Sequence, residues 1–155
     1  MPDYPTDPSC IFCKIVAGEI PCHKLYEDDR VLSFLDIGPL SAGHALVIPK
    51  GHYETIDQVP AEDAAAMFRI VPALSKAIMQ ATGAESWNLL QNNGSAAGQA
   101  VGHVHLHIIP RFAGNARETP THGNGLPFSW PAGEVDHGDA GKLAELIKES
   151  MSESF

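Results

Sequence analysis

The sequence predicts one domain of mixed helices and strands, and three stretches carry that prediction. The run His44-Ala-Leu-Val-Ile-Pro49 is too short for a buried helix and reads as a central strand. The run His103-Val-His-Leu-His-Ile-Ile-Pro110 alternates imidazole with aliphatic side chains and reads as a second central strand. Between them, Met67, Ile70, Val71, Leu74 and Ile78 recur at three- and four-residue spacing, the period of a helix with one buried face. With 155 residues, 44% hydrophobic and 19% charged, the chain has enough apolar material for one core and too little length for two.

The other elements follow in order. Residues 1–9 hold three prolines and no periodicity, which predicts a mobile arm. A short helical turn over Ile11–Ala17 ends at Gly18. Lys24–Tyr26 and Val31–Leu35 flank Glu27-Asp28-Asp29, a composition suited to the turn of a hairpin. Ile37-Gly-Pro-Leu-Ser-Ala-Gly43 is loop chemistry. The main helix is expected to start at Pro60, end at Gly83 and bend at Pro72, where an interior proline removes a backbone hydrogen bond. Trp87–Gln91 reads as a strand, followed by the small-residue loop Asn92–Gly102. After Arg111, Gly114, Pro120, Gly123, Gly125, Pro127 and Pro131 exclude regular structure, while Phe128 and Trp130 require cover. Asp139 is positioned to cap a last helix with Leu143, Leu146, Ile147 and Met151. The domain proper is therefore expected over 10–112, with 113–155 an irregular extension ending in a helix packed on the same domain.

Ten basic residues against 19 acidic ones give a net charge of -9, which opposes binding to nucleic acid or to an anionic membrane surface. No apolar run approaches the ~20 residues of a membrane helix, and Met1-Pro-Asp-Tyr-Pro-Thr-Asp lacks the pattern of a signal peptide. A cytoplasmic protein is expected. The cysteines are Cys10, Cys13 and Cys22; the first two form a C-x-x-C, which in a reducing compartment points to metal or redox chemistry. No thioredoxin-like pattern surrounds them, so metal is favoured.

Along a strand, His103, His105 and His107 project to one face and Val104, Leu106 and Ile108 to the other. Three imidazoles in register admit two readings. As metal ligands they would ordinarily recruit carboxylates, yet there is no Asp or Glu between Glu85 and Glu118. As a nucleophile, imidazole is largely unprotonated at neutral pH and forms a labile N–P bond, which suits phosphoryl or nucleotidyl transfer. Gly94, Gly98 and Gly102 in the preceding loop let backbone N–H groups approach an anion. The Lys-Ser/Thr ending of a P-loop is missing, so a magnesium triphosphate is not indicated.

His103-Val-His-Leu-His-Ile-Ile matches the pattern H-φ-H-φ-H-φ-φ, with φ apolar, and strongly resembles the histidine triad (HIT) family. Cys10-Ile-Phe-Cys-Lys-Ile, Glu19-Ile-Pro, Tyr26-Glu-Asp-Asp-Arg-Val, Phe34-Leu-Asp-Ile, Gly43 through His52, and Asn92 through Pro110 are similar to family blocks in family order. The resemblance implies an α+β fold with a five-stranded antiparallel sheet, one main helix, a short N-terminal helix and a C-terminal helix. It implies a homodimer that hydrolyses nucleoside monophosphates substituted at the α-phosphate. His105 would be the nucleophile and form a nucleotidyl-histidine; His107 would hydrogen-bond the phosphate, with His44 and His103 in support. Asn92 and the backbone at Gly98, Gln99 and Ala100 would line the phosphate site. Phe12, Ile15, Phe34, Leu35 and Ile37 would hold a purine, and Asp36 the ribose. From the residues alone, Phe34 and Ile37 read equally as core, while a turn cap for Asp36 and a core histidine for His44 are the lesser alternatives. His23, His122 and His137 receive no role.

A subset of the family closes a structural zinc site with residues equivalent to Cys10, Cys13, His52 and His103, so a zinc ion is expected here. Two residues after Gly98, family members carry Ser or Thr where this chain has Ala100, which keeps open a non-catalytic nucleotide-binding adaptor beside the hydrolase. A metallohydrolase using the triad as ligands is the weakest alternative. Relatives that catalyse transfer place proline before the nucleophile; Val104 there favours hydrolysis. His107-Ile-Ile-Pro-Arg111 is similar to the dinucleoside polyphosphate branch, whereas length and overall pattern are similar to the phosphoramidase branch.

Overall fold

A five-stranded antiparallel sheet organises the chain, in the order β1-β2-β3-β5-β4. Its strands are β1 (Lys24–Glu27), β2 (Val31–Leu35), β3 (Ala45–Pro49), β4 (Ser86–Gln91) and β5 (Leu106–Arg111). The helices are α1 (Ile11–Val16), α2 (Ala61–Arg69), α3 (Val71–Thr82) and α4 (His137–Ser152). The computed structural model describes residues 3–113, 134 and 136–152. The expected irregular segment, including Phe128 and Trp130, lies outside the described residues, as does the side chain of Met151.

All five residues of β3 are buried because both faces of this central strand are covered. On one face Val31, Ala45, Val47, Leu106 and Ile108 pack against Ala66, Met67, Ile70, Val71 and Ile78 of the helical layer. On the other, Leu32, Phe34, Leu46 and Ile48 pack beneath Cys10, Phe12 and Cys13 of the N-terminal turn and α1. His107 stands opposite Leu46 in the β3–β5 ladder, so it shares the α1 side of the sheet. The hairpin of β1 and β2 forms as expected, its turn closed by the Asp28 carboxylate, which accepts from the N–H groups of Arg30 at 2.7 Å and Val31 at 2.8 Å.

Three local expectations are corrected. The main helix is divided rather than bent: α2 stops at Arg69 and α3 starts at Val71. Pro72 lacks an N–H and its ring excludes the Phe68 carbonyl from a helical ladder, so it sits in the first turn of a new helix. Gly83 closes α3 in the left-handed conformation, as its composition predicts. The histidine strand starts only at Leu106, because the Val104 N–H leaves the sheet for the Tyr53 carbonyl at 2.7 Å. The cap of α4 is Asp136, whose carboxylate accepts from the Asp139 N–H at 3.0 Å, so Asp139 is a first-turn residue. In the segment before α1, the Pro5 carbonyl accepts from the His52 N–H at 2.7 Å.

Leu143, Leu146 and Ile147 of α4, expected to pack on the domain, are at least half exposed. No helix among the described residues is long and apolar enough to cross a membrane.

The loop before β3 sets the position of His44. The Ser41 hydroxyl donates to the Pro110 carbonyl at 2.6 Å, and Gly43 follows with φ of +87°. A Cβ on Gly43 would stand 2.6 Å from Thr82 Cγ2 and 3.2 Å from Ile78 Cγ2. Gly43→Ala is therefore expected to lower stability by about 2–4 kcal/mol, from the left-handed backbone and the α3 clash together. Urea denaturation checks this; an unchanged midpoint would contradict the packing described.

Candidate active site and metal centre

Five histidines and two cysteines converge on the α1 side of the sheet, and the hydrogen bonds fix which nitrogen of each of the four most buried imidazoles carries the proton. A carbonyl oxygen can only accept. His103 Nε2 lies 2.9 Å from the Pro49 carbonyl and so donates, leaving its lone pair on Nδ1. His105 Nδ1 lies 2.7 Å from the His103 carbonyl and donates, leaving its lone pair on Nε2. The Leu40 N–H donates to His44 Nδ1 at 3.0 Å, so His44 presents Nε2–H to His107 Nδ1 at 2.9 Å. His107 then carries its own proton on Nε2.

Burial keeps these rings neutral. Desolvation lowers His107 to about 4, assisted by His105 and His44, with Asp36 opposing. Desolvation also lowers His44 against the attraction of Asp36, and His105 against its bond to the His103 carbonyl. The result is one imidazole with an available lone pair, His105, beside one with an available N–H, His107; their ring centroids are 4.8 Å apart.

Two cavities meet at this pair. The first, about 280 Å³, is mainly apolar and contains Phe12, Ile15, Phe34, Leu35, Asp36 and Ile37 in its lining, together with Ala100, His105 and His107. The second, about 260 Å³, contains Asn92, Gly98 and His44 and shares Asp36, Ala100, His105 and His107 with the first. Phe34 is at once core and lining, Phe12 meets the His105 ring edge-on at 5.2 Å, and Ile37 is 90% exposed at the rim. Asp36 caps its turn, one oxygen accepting from the Gly38 N–H at 2.8 Å, while the other lies 3.6 Å from His44 Nε2. Among the lining residues that sequence reasoning missed, Ile20, Pro21, Cys22 and Val101 in the first cavity and Leu40 and Leu90 in the second lie on loops or on β4, where no periodicity announces a lining, whereas Ile11, Leu46 and Ile109 belong to regular elements. Gln99 lines neither cavity.

Cys10, Cys13, His52 and His103 form a separate cluster whose ligand atoms all lie within 4.8 Å of one another. Cys10 Sγ is 3.5 Å from His103 Nδ1, and Cys13 Sγ is 3.6 Å from the same atom and 3.4 Å from His52 Nδ1. On a tetrahedral zinc with ordinary bond lengths, sulfur and nitrogen ligands stand about 3.5 Å apart, so the donor set and spacing fit that ion. The His103 Nδ1 lone pair faces the sulfurs. The cluster could hold a metal ion. A second group, Asp36, His44 and His107, suits one less well, because the Leu40 N–H occupies His44 Nδ1 and forces a proton onto the nitrogen that faces His107.

The comparisons agree with this geometry. Adenosine 5′-monophosphoramidase hnt1 of Schizosaccharomyces pombe is 44% identical over 143 residues, 92% of this chain and 98% of that protein. Adenylylsulfatase HINT3 of Arabidopsis thaliana is 59% identical over 102 residues, 66% of this chain but only 52% of that protein, so the chain spans about half of its length. The crystal structure of a Zn-bound histidine triad family protein from Mycobacterium smegmatis superposes with a TM-score of 0.66 at 32% identity, covering 95% of this chain and 98% of that one. The HIT domain model matches residues 17–114, and the chain belongs to the HIT family.

Proposed function

We propose that the protein is a nucleotide hydrolase that removes substituents from the α-phosphate of purine nucleoside monophosphates, with adenosine phosphoramidates and dinucleoside polyphosphates as the candidate substrate classes. The observation that carries the reading is the His105 Nδ1–H bond to the His103 carbonyl, which leaves a Nε2 lone pair on a residue lining both cavities. That nitrogen attacks the α-phosphorus, the bond to the amine or phosphate leaving group breaks, and water then hydrolyses the nucleotidyl-imidazole. His107 Nε2–H, Asn92 and the loop backbone at Gly98 and Ala100 act as phosphate donors. The apolar cavity takes the base, with Asp36 accepting from the ribose. The relatives, named a phosphoramidase and an adenylylsulfatase, support hydrolysis at this bond type.

Ala100 favours a second reading, a nucleotide-binding adaptor with little turnover, because it stands at the junction of the cavities without a hydroxyl. The lost donor costs about 0.5–1.5 kcal/mol, which slows a reaction rather than abolishing it. The four-ligand cluster holds a structural zinc with no open position, which ties α1 to the catalytic segment. We also assign a homodimer, supported by the edge strand β4 with Trp87 and Leu89 partly exposed, and a cytoplasmic location, supported by three unpaired cysteines.

Steady-state hydrolysis of adenosine 5′-phosphoramidate and of a diadenosine polyphosphate tests the mechanism. His105→Ala is expected to lower kcat at least ~10³-fold while keeping AMP affinity within a few fold; equal rates would remove His105 from the chemistry, and an inactive unmodified protein that binds AMP would favour the adaptor.

Metal analysis is expected to find one zinc per chain, lost in Cys13→Ser. At a thousandfold excess over Kd a bound metal contributes about 4 kcal/mol, so chelation should lower Tm markedly. Chelation that abolishes activity and leaves Tm unchanged would instead identify a catalytic metal.

His107 generates a pH dependence. Its folded pKa of about 4 lies below the ordinary 6.5, so the unfolded chain takes up a proton first as pH falls. The contribution to stability is complete above pH 6.5 and is lost progressively towards pH 4. Denaturation of the protein and of His107→Gln at a series of pH values is expected to show a shallower acid decline in the variant; parallel curves would contradict the neutral relay.

A further inference from the structure

Gln99 adjoins the cavities yet lines neither, and its side chain is fully engaged elsewhere. Its Oε1 accepts from the Gly94 N–H at 2.7 Å. Its Nε2 donates to the Glu54 carbonyl at 2.7 Å and to the Val101 carbonyl at 2.9 Å. The orientation of the amide follows from its partners: the reversed amide would set NH₂ against an N–H and oxygen against two carbonyls. One side chain thus joins both ends of the loop over 94–101 and anchors it to the segment after His52.

The loop needs such a brace. Gly94 and Gly98 both hold positive φ, near +90°, and the turn they enclose is closed by short-range backbone bonds, Ala97 N–H to Gly94 O at 3.1 Å, Gly98 N–H to Ser95 O at 3.0 Å and Gln99 N–H to Gly94 O at 3.1 Å. Nothing in that turn fixes its distance from His105. A second tie runs parallel, since the Asn93 carboxamide oxygen accepts from the Ile56 N–H at 2.8 Å. Both ties end on residues 54–56, and Val104, one residue before His105, is bonded to Tyr53. The loop and the reactive histidine are therefore referenced to the same stretch of backbone, and the Gln99 amide completes the link on the loop side.

We propose that Gln99 is a positioning residue for the phosphate: without touching the ligand, its amide holds Asn92, Gly98 and Ala100 at a set distance from His105. This rests on the nucleotide reading above. In Gln99→Glu, the carboxylate still accepts from Gly94 but loses both donors and turns negative charge towards two carbonyls. In Gln99→Met, the side chain keeps its length and loses every bond.

Binding of AMP and of adenosine to the full chain, measured by calorimetry with Tm recorded for each variant, tests the proposal. AMP affinity is expected to fall about tenfold or more in Gln99→Glu and in Gln99→Met, as for the loss of one or two neutral hydrogen bonds, while adenosine affinity stays within about twofold. A folded variant that retains the AMP-over-adenosine ratio, or that loses both ligands equally, overturns the positioning role; should Gln99→Glu fail to fold, Gln99→Met decides. If the unmodified protein shows no preference for AMP over adenosine, the phosphate site itself is wrong and Gln99 falls with it. A preference that survives both substitutions overturns Gln99 alone.

Discussion

The buried imidazole of His103 donates Nε2–H to the Pro49 carbonyl at the end of β3, and two features of the site depend on that bond. It turns Nδ1 and its lone pair towards Cys10 and Cys13, so the Cys–His cluster is assembled against the sheet rather than on a loose loop. It fixes the backbone of the segment just before β5, so the His103 carbonyl stands where the His105 N–H can reach it. A ring rotated to bond elsewhere would leave the sulfurs without their shared nitrogen partner and the His105 tautomer undefined. The first histidine thus acts as the joint between sheet, cluster and reactive nitrogen.

Proton positions then propagate from backbone to cavity without any charged group. Two chains of bonds, Pro49 to His103 and Leu40 through His44 to His107, each begin at a main-chain atom held by the fold. Because main-chain donors and acceptors do not titrate, the tautomers they impose persist wherever the rings are neutral, and burial extends that range downward. The same burial that costs solvation of an imidazolium therefore supplies a constant lone pair on His105 and a constant N–H on His107.

Much of this was legible in the chain. The apolar run through β3, the spacing of the main helical stretch and the alternation around His107 state which side chains share a face, and the structure keeps those faces. What escaped was set by tertiary competition. Nothing local marks Leu106 as the start of β5, because the strand is cut short by the Tyr53 carbonyl, about a third of the chain away. The division at Ile70 was underestimated because the two halves keep a common apolar face across the break. In the site, the clustering of Cys10 and Cys13 with His103 depends on contacts across some ninety residues, which spacing alone cannot encode. Gln99 shows the reverse case: a polar residue in a glycine-rich loop suggests ligand binding, whereas its amide is committed to backbone partners from three separate positions.

The charge balance bears on how such a site works. Neither cavity is lined by a lysine or arginine, and Asp36 is an acidic group common to both. A phosphate placed there would be held by neutral donors, with an opposing carboxylate nearby and a net charge of -9 overall. An imidazolium at His105 or His107 would attract that anion more strongly, but a protonated His105 has no lone pair to offer. Neutral donors avoid that conflict, since they would stabilise charge developing on the phosphate oxygens and leave His105 unprotonated. They also bind a released nucleotide less tightly than a cation would. Directional N–H groups lose their value quickly with distance and angle. A site built from them depends on the placement of its loops, and it is on loop placement that His103, Ser41 and Gln99 all act.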